Sequence, residues 1–128
     1  IDPGILRELS GLRKPHYRER FMVASGGQIR SVPVEQVAYF QSEGRYVKLV
    51  SKDNHRYIVD GTMEKIHAEL DPRGFFRINR QLIVSFSAIK SMVPYSKSRV
   101  KVVLQPVSDI DSIVSVERSA EFKVWLDR

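Results

Sequence analysis

The sequence predicts a mainly β domain of about nine or ten short strands with one or two short helices. Three observations carry this reading. Between Phe21 and Ser115 the chain runs in short apolar or alternating segments, each parted from the next by turn residues. Within that stretch apolar residues recur at helical spacing once, at Met63, Ile66 and Leu70. Its 128 residues, with 42% hydrophobic and 28% charged, suit one globular domain rather than a disordered or fibrous chain.

Taken in order, residues 1–20 differ from the rest. Ile5, Leu6, Leu9 and Leu12 fall at the spacing of one helical stripe, followed by the charged, proline-broken Arg13-Lys14-Pro15-His16-Tyr17-Arg18-Glu19-Arg20. Two readings stand for this stretch: a linker from an upstream domain, and an N-terminal helix packed on the domain. The boundaries expected are 1–19 for the linker and 20–128 for the domain. The first residue is Ile rather than Met, so a processed product or a piece of a longer chain is expected.

Segments 21–25 and 28–32 flank Gly26-Gly27, a pair that accepts the positive φ of a tight hairpin. Segments 37–41 and 46–51 are joined by the polar loop Ser42-Glu43-Gly44-Arg45, and 46–51 and 55–59 by Lys52-Asp53-Asn54. Thr62 is placed to cap the helix of Met63, Ile66 and Leu70, which Asp71-Pro72 ends. Strand patterns return at 75–78, 82–86, 89–93 and 99–104, where Arg99 and Lys101 take the solvent side, and 110–115 reads as the last strand. Ser119 is placed to cap a final helix carrying Phe122, Trp125 and Leu126 on one face. Antiparallel hairpins are expected throughout, with no βαβ unit and no internal repeat.

Composition excludes several kinds of chemistry. With no cysteine there are no disulfides, no thiolate nucleophile and no sulfur-ligated zinc. No apolar run approaches the ~20 residues that cross a bilayer, and the charged start does not resemble a signal peptide. The three histidines, His16, His55 and His67, have no partner at metal-ligand spacing; His67 reads as a partly exposed helix residue. Asp109 and Asp111, near Pro106, read as a solvated loop pair. There is no phosphate-binding glycine loop and no serine nucleophile elbow. The expectation is no enzyme, no cofactor and no metal.

The formal net charge of +6 suggests an anionic partner but gains meaning only from where the charges fall. Arg45 stands in a turn. Arg77-Ile78-Asn79-Arg80-Gln81 is a polar island between two apolar runs. Lys97, Arg99 and Lys101 follow the turn Pro94-Tyr95-Ser96, and Arg118 lies between the last strand and the last helix. Loops on a rigid β scaffold are where binding residues concentrate. Arginine pairs bidentately with guanine, and Asn or Gln with adenine, in the major groove of DNA. Each of these residues also has a bland reading as a solvated charge, and the island as a plain strand-to-strand turn. A competing reading makes the chain a protein-interaction or ligand-binding β module, with Trp125, Phe122 and Tyr95 as a contact surface.

The stretch Phe75-Phe76-Arg77-Ile78-Asn79-Arg80-Gln81, between Leu70-Asp71-Pro72-Arg73-Gly74 and Leu82-Ile83-Val84, resembles the central motif of the LytTR family. Val37-Ala38-Tyr39-Phe40 with its polar loop, Tyr57-Ile58-Val59-Asp60-Gly61-Thr62-Met63, Ala88-Ile89-Lys90, and Val114-Ser115 before Glu117–Leu126 resemble further family segments in the same order. The likeness covers about residues 20 to 127.

This resemblance implies an elongated fold of about ten strands in three small antiparallel sheets. It also implies a cytoplasmic, bacterial DNA-binding output domain, behind a receiver domain served by a sensor kinase and regulating transcription. Inter-strand loops would read major grooves of double-stranded promoter DNA, with pairs of domains on direct repeats and no membrane contact. By position it assigns base reading to Arg45, Asn79, Arg80 and Arg118. It assigns phosphate contact or positioning to Arg77, Gln81, Lys97, Arg99, Lys101 and Ser115. The sequence departs from the family pattern at the third reading place, where Val116-Glu117 intervene between Ser115 and Arg118, and at Ser85, where Asn is common.

Overall fold

The computed structural model describes residues 16–96 and 99–127. The stripe Ile5, Leu6, Leu9 and Leu12, most of the expected linker, and Lys97 lie outside the described residues. Nine strands and two helices follow: β1 (Arg20–Ser25), β2 (Gln28–Pro33), β3 (Val37–Glu43), β4 (Tyr46–Ser51), β5 (Arg56–Val59), α1 (Met63–Glu69), β6 (Phe75–Asn79), β7 (Leu82–Ser85), β8 (Ile89–Pro94), β9 (Val100–Leu104) and α2 (Ser119–Leu126).

The mainly β expectation holds, and all pairings are antiparallel. Seven strands join in one sheet, ordered β2-β1-β5-β4-β3-β7-β6, and β8 pairs with β9 in a second. The three small sheets implied by the resemblance are thus two here. Gly26 and Gly27 take φ of 55° and 78°, as a tight hairpin with the right twist requires.

Successive strand residues face opposite sides of a sheet, and the middle of this one is apolar on both. Phe40 and Ile83 join Phe21, Phe75, Met63, Ile66 and Leu70 beneath α1. Tyr39, Leu82 and Val84 join Val102, Leu104, Val114, Phe122 and Trp125 on the other face. Segment 105–111 is strapped across that second face. Tyr39 Oη and Arg56 Nη2 both donate to the Val107 carbonyl, at 3.1 and 3.0 Å. Asp109 pairs with Arg56 at 3.1 Å and lies 3.9 Å from Lys48, so it is an anchor of the strap rather than a solvated loop acid.

Three further expectations are corrected. Segment 110–115 is no strand: it makes one bridge, Lys101 with Ile113, then leaves β9 when the Ser115 N–H turns to the Ile78 carbonyl at 2.9 Å. Phe86 leaves β7 for a short 3-10 turn, Phe86–Ala88. Ser119 does not cap α2. The 3-10 turn Val116–Arg118 already winds the chain, so Ser119 has helical φ and ψ and donates back to the Ser115 carbonyl at 2.9 Å. Thr62 caps α1 as expected, accepting from Lys65 N–H at 3.1 Å.

Phe122 is fully buried, and Trp125 packs on Phe76, Phe86 and Phe122 while donating from Nε1 to the Pro72 carbonyl at 2.8 Å. These two residues therefore close the core and do not form the contact surface of the competing reading. Trp125→Ala should lower unfolding stability by about 3–5 kcal/mol, and Trp125→Phe, which mainly loses the hydrogen bond, by about 1–2 kcal/mol. Urea denaturation followed by far-ultraviolet circular dichroism measures both.

Candidate nucleic-acid interface

Strand direction decides which loops meet. In the run β5-β4-β3-β7-β6 neighbours are antiparallel, so β5, β3 and β6 all point the same way. Their C-terminal turns emerge at one end of the sheet. The register Glu43↔Tyr46 shortens the expected polar loop to a two-residue turn, Gly44-Arg45. Gly44 takes φ 59°, the left-handed conformation that glycine favours at the first position of such turns. Arg45 is exposed at the tip, with no hydrogen-bond or ion-pair partner among the described residues.

The polar island divides in the same way. Arg77 and Asn79 belong to β6, and the register Asn79↔Leu82, with a bulge between Arg77 and Asn79, leaves Arg80-Gln81 as the turn. Arg77 is built into that turn. Its Nε donates to the Asn79 carbonyl at 3.3 Å and its Nη2 to the Arg80 carbonyl at 2.8 Å. Its Nη1 pairs with Glu64 Oε2 at 2.9 Å, with the Arg77 side chain only 12% exposed. That contact, followed by the backbone N–H of Glu64, holds the Glu64 carboxyl below its usual range. Asn79 Oδ1 accepts from Gln81 N–H at 2.8 Å, and its Nδ2 donates to the Ile113 carbonyl at 2.9 Å. The Ser42 N–H donates to the Gln81 carbonyl at 2.8 Å, fastening one turn to the other. Arg80 itself is exposed and has no partner among the described residues.

The third segment arrives through the Ser115–Ile78 hydrogen bond, which seats the turn Val116–Arg118 beside the end of β6. Arg118 is half-buried, and its side chain forms no hydrogen bond or ion pair among the described residues. Ser115 Oγ is buried, although the residue contributes to the lining of a cleft beside Asn79 and Arg118. The Glu117 carboxyl is held low by its own backbone N–H and by the Ser115 hydroxyl.

Two clefts result. One, of about 500 Å³, is lined by Arg45, Arg77, Arg80 and Arg118 together with Thr62 and Glu64. The other, of about 720 Å³, is lined by Asn79, Arg80, Gln81, Arg99, Glu117 and Arg118 among others. Arg80 and Arg118 belong to both. Arg99 is held by Ser96 Oγ at 2.9 Å and lies over the Tyr95 ring, 5.2 Å from its centre. Lys101 is exposed on β9 and lines neither cleft.

Sequence reasoning did not find the acids of this surface. Glu64 and Glu117 stand among the arginines, and the only signal for Glu64 was its place in the first turn of α1. His67, further along α1, has its pKa lowered by partial desolvation and by the positive fields of Arg77 and Arg118. Among the described residues no three His, Asp or Glu side chains stand where they could hold a metal ion.

A β scaffold that brings arginines from two hairpin turns and from the turn before α2 to one end presents a surface suited to an anionic partner. The chain belongs to the LytTr DNA-binding domain family, whose model matches residues 27–127. It is similar to an uncharacterised response regulatory protein of Vibrio cholerae, with 26% identity over 85 residues that make up 64% of this chain and 33% of that protein. The chain thus spans about a third of that relative's length. In fold it resembles the solved LytTr DNA-binding domain of a methyl-accepting/DNA response regulator from Bacillus cereus. The TM-score is 0.76 at 16% identity, over 87% of this chain and 99% of that one.

Removing the Arg77 fork leaves two carbonyls and Glu64 without their partner. Arg77→Ala should therefore cost about 1–3 kcal/mol of stability, and Arg77→Lys should recover only part of it, as denaturant midpoints will show. His67 makes stability depend on pH. Its folded-state pKa lies below the ordinary 6.5, so its contribution is complete above that pH and is lost as pH falls through the folded value. His67→Gln should lose less stability than the parent between pH 7 and pH 5 in paired denaturation curves.

Proposed function

We propose that this chain binds duplex promoter DNA sequence-specifically and regulates transcription as the output domain of a two-component response regulator. The observation that carries the proposal is the convergence of Arg45, Arg80 and Arg118 on one cleft. They come from two hairpin turns and the turn before α2, and none of their side chains has a hydrogen-bond or ion-pair partner among the described residues. Free guanidiniums on rigid turns are suited to bidentate pairing with guanine O6 and N7. Asn79 spends one amide N–H and one oxygen lone pair within the protein and keeps one of each for a base edge, so base reading is assigned to the three arginines and Asn79. Asn79 and Arg77 then position the central turn. Gln81 and Arg99, in the second cleft, supply phosphate contact, with Lys101 outside both clefts.

The chain's own chemistry in this role is binding, with no catalytic step. The Vibrio cholerae relative is named as a response regulatory protein and is about three times as long as the matched part. That supports an upstream receiver domain and a cognate sensor kinase in a bacterium as parts of this proposal, which also takes a cytoplasmic setting and pairing of domains on direct repeats from the family resemblance. No helix among the described residues is long and apolar enough to cross a membrane.

Gel shifts test the reading. Affinity for a selected duplex should fall linearly in log–log form as salt rises, because neutralised phosphates release counterions. Arg80→Ala should lose about 1–3 kcal/mol and relax preference at one base pair. Absence of binding to any duplex at low salt overturns the proposal.

A further inference from the structure

We propose that Glu117 is a specificity-determining residue that selects a cytosine beside the base pair read by Arg80 or Arg118. This inference rests on the DNA-reading function proposed above and adds a base that the arginines do not select.

Glu117 lines the second cleft together with Arg80, Gln81 and Arg118, and with one other acid, Asp111. It therefore belongs to the same surface as two of the candidate reading arginines. Its place is fixed by backbone. Ser115 N–H is bonded to the Ile78 carbonyl at 2.9 Å, and Arg118 N–H to the Ser115 carbonyl at 3.1 Å. The turn carrying Glu117 thus keeps a constant offset from the turn carrying Arg80. The side chain is exposed, ionised and forms no ion pair among the described residues.

The Glu117 carboxylate accepts from its own backbone N–H and has further acceptor sites open; facing phosphates, that charge weakens binding to every sequence unless the DNA offers it a further donor. A carboxylate is an acceptor only. In the major groove the exposed donors are the exocyclic amines of cytosine and adenine. Adenine N6 has the acceptor N7 beside it, which repels a carboxylate. Cytosine N4 has no neighbouring acceptor on its own major-groove edge, so cytosine is the base that relieves the charge. The guanine paired with that cytosine, or the next one along, then falls to an arginine of the same cleft.

Duplexes bound by the parent chain, Glu117→Gln and Glu117→Ala are selected from one randomised library and sequenced. Expected is a cytosine position in the parent's preferred site at which other bases bind about tenfold more weakly. That preference should disappear with Glu117→Ala. It should move towards adenine with Glu117→Gln, since a glutamine amide matches adenine N6 and N7. The other positions should keep their preferences. Equal tightening on all sequences with every preference unchanged overturns the inference and makes Glu117 a repulsive surface charge, while leaving the DNA-binding function standing. Failure of the parent to enrich any sequence overturns both.

Discussion

The strands β3 and β7 are apolar on both faces, and that single requirement organises the molecule. Burying only one face would leave either the Phe40 and Ile83 side or the Tyr39, Leu82 and Val84 side in water. One cover is α1, laid against the aromatic contacts of Phe21, Phe40 and Phe75, whose rings lie 5.0 and 6.2 Å apart in turn. The other is composite: the second sheet, the strap of residues 105–111 and α2. The β5–α1 connection leads from the sheet to the first cover, and the turn at Val116–Arg118 joins two parts of the second, residues 110–114 and α2. Both connections come to the end where the hairpins carrying Arg45 and Arg80 also turn.

Charge is distributed to match. Several arginines away from that end are held by the protein: Arg18 by Glu69 and the Phe21 ring, Arg20 by Ser31, Arg56 by Asp109 and the Val107 carbonyl. Within the surface Arg77 is committed to its own turn, while Arg45, Arg80 and Arg118 are not. A net charge of +6 is modest for a DNA-binding chain. Away from the site acids pair with Arg18, Lys48 and Arg56, and at the site Glu64 answers Arg77.

Much of the fold was legible because its signals are local. Gly26-Gly27 needs positive φ, Thr62 offers a hydroxyl to a free N–H, and alternation such as Tyr39 against Phe40 divides strand faces. What escaped depended on partners far away in sequence. The loss of a strand at 110–115 turns on Ser115 meeting Ile78. The stripe of Phe122, Trp125 and Leu126 reads as core from its spacing, but the Trp125 hydrogen bond to the Pro72 carbonyl does not. The candidate site shows the same division. The positions of Arg45, Arg80 and Arg118 could be read from turns and resemblance, but the commitment of Asn79 to Ile113 and of Arg77 to Glu64 could not. A residue type says what a side chain is able to bond, and only the fold says whether that capacity is already used.

The two-residue turns have a metric consequence. Arg45 rides on the hairpin between β4 and β3, and Arg80 on the hairpin between β7 and β6, all four strands being consecutive in one sheet. The midpoints of those hairpins are therefore two strand spacings apart, roughly 10 Å, about three steps along a DNA strand at ~3.4 Å each. That interval is set by backbone hydrogen bonding and does not stretch with loop sequence. The sheet is a ruler graduated in strands: substitutions at the tips can alter what each mark reads, while the distance between marks stays the same.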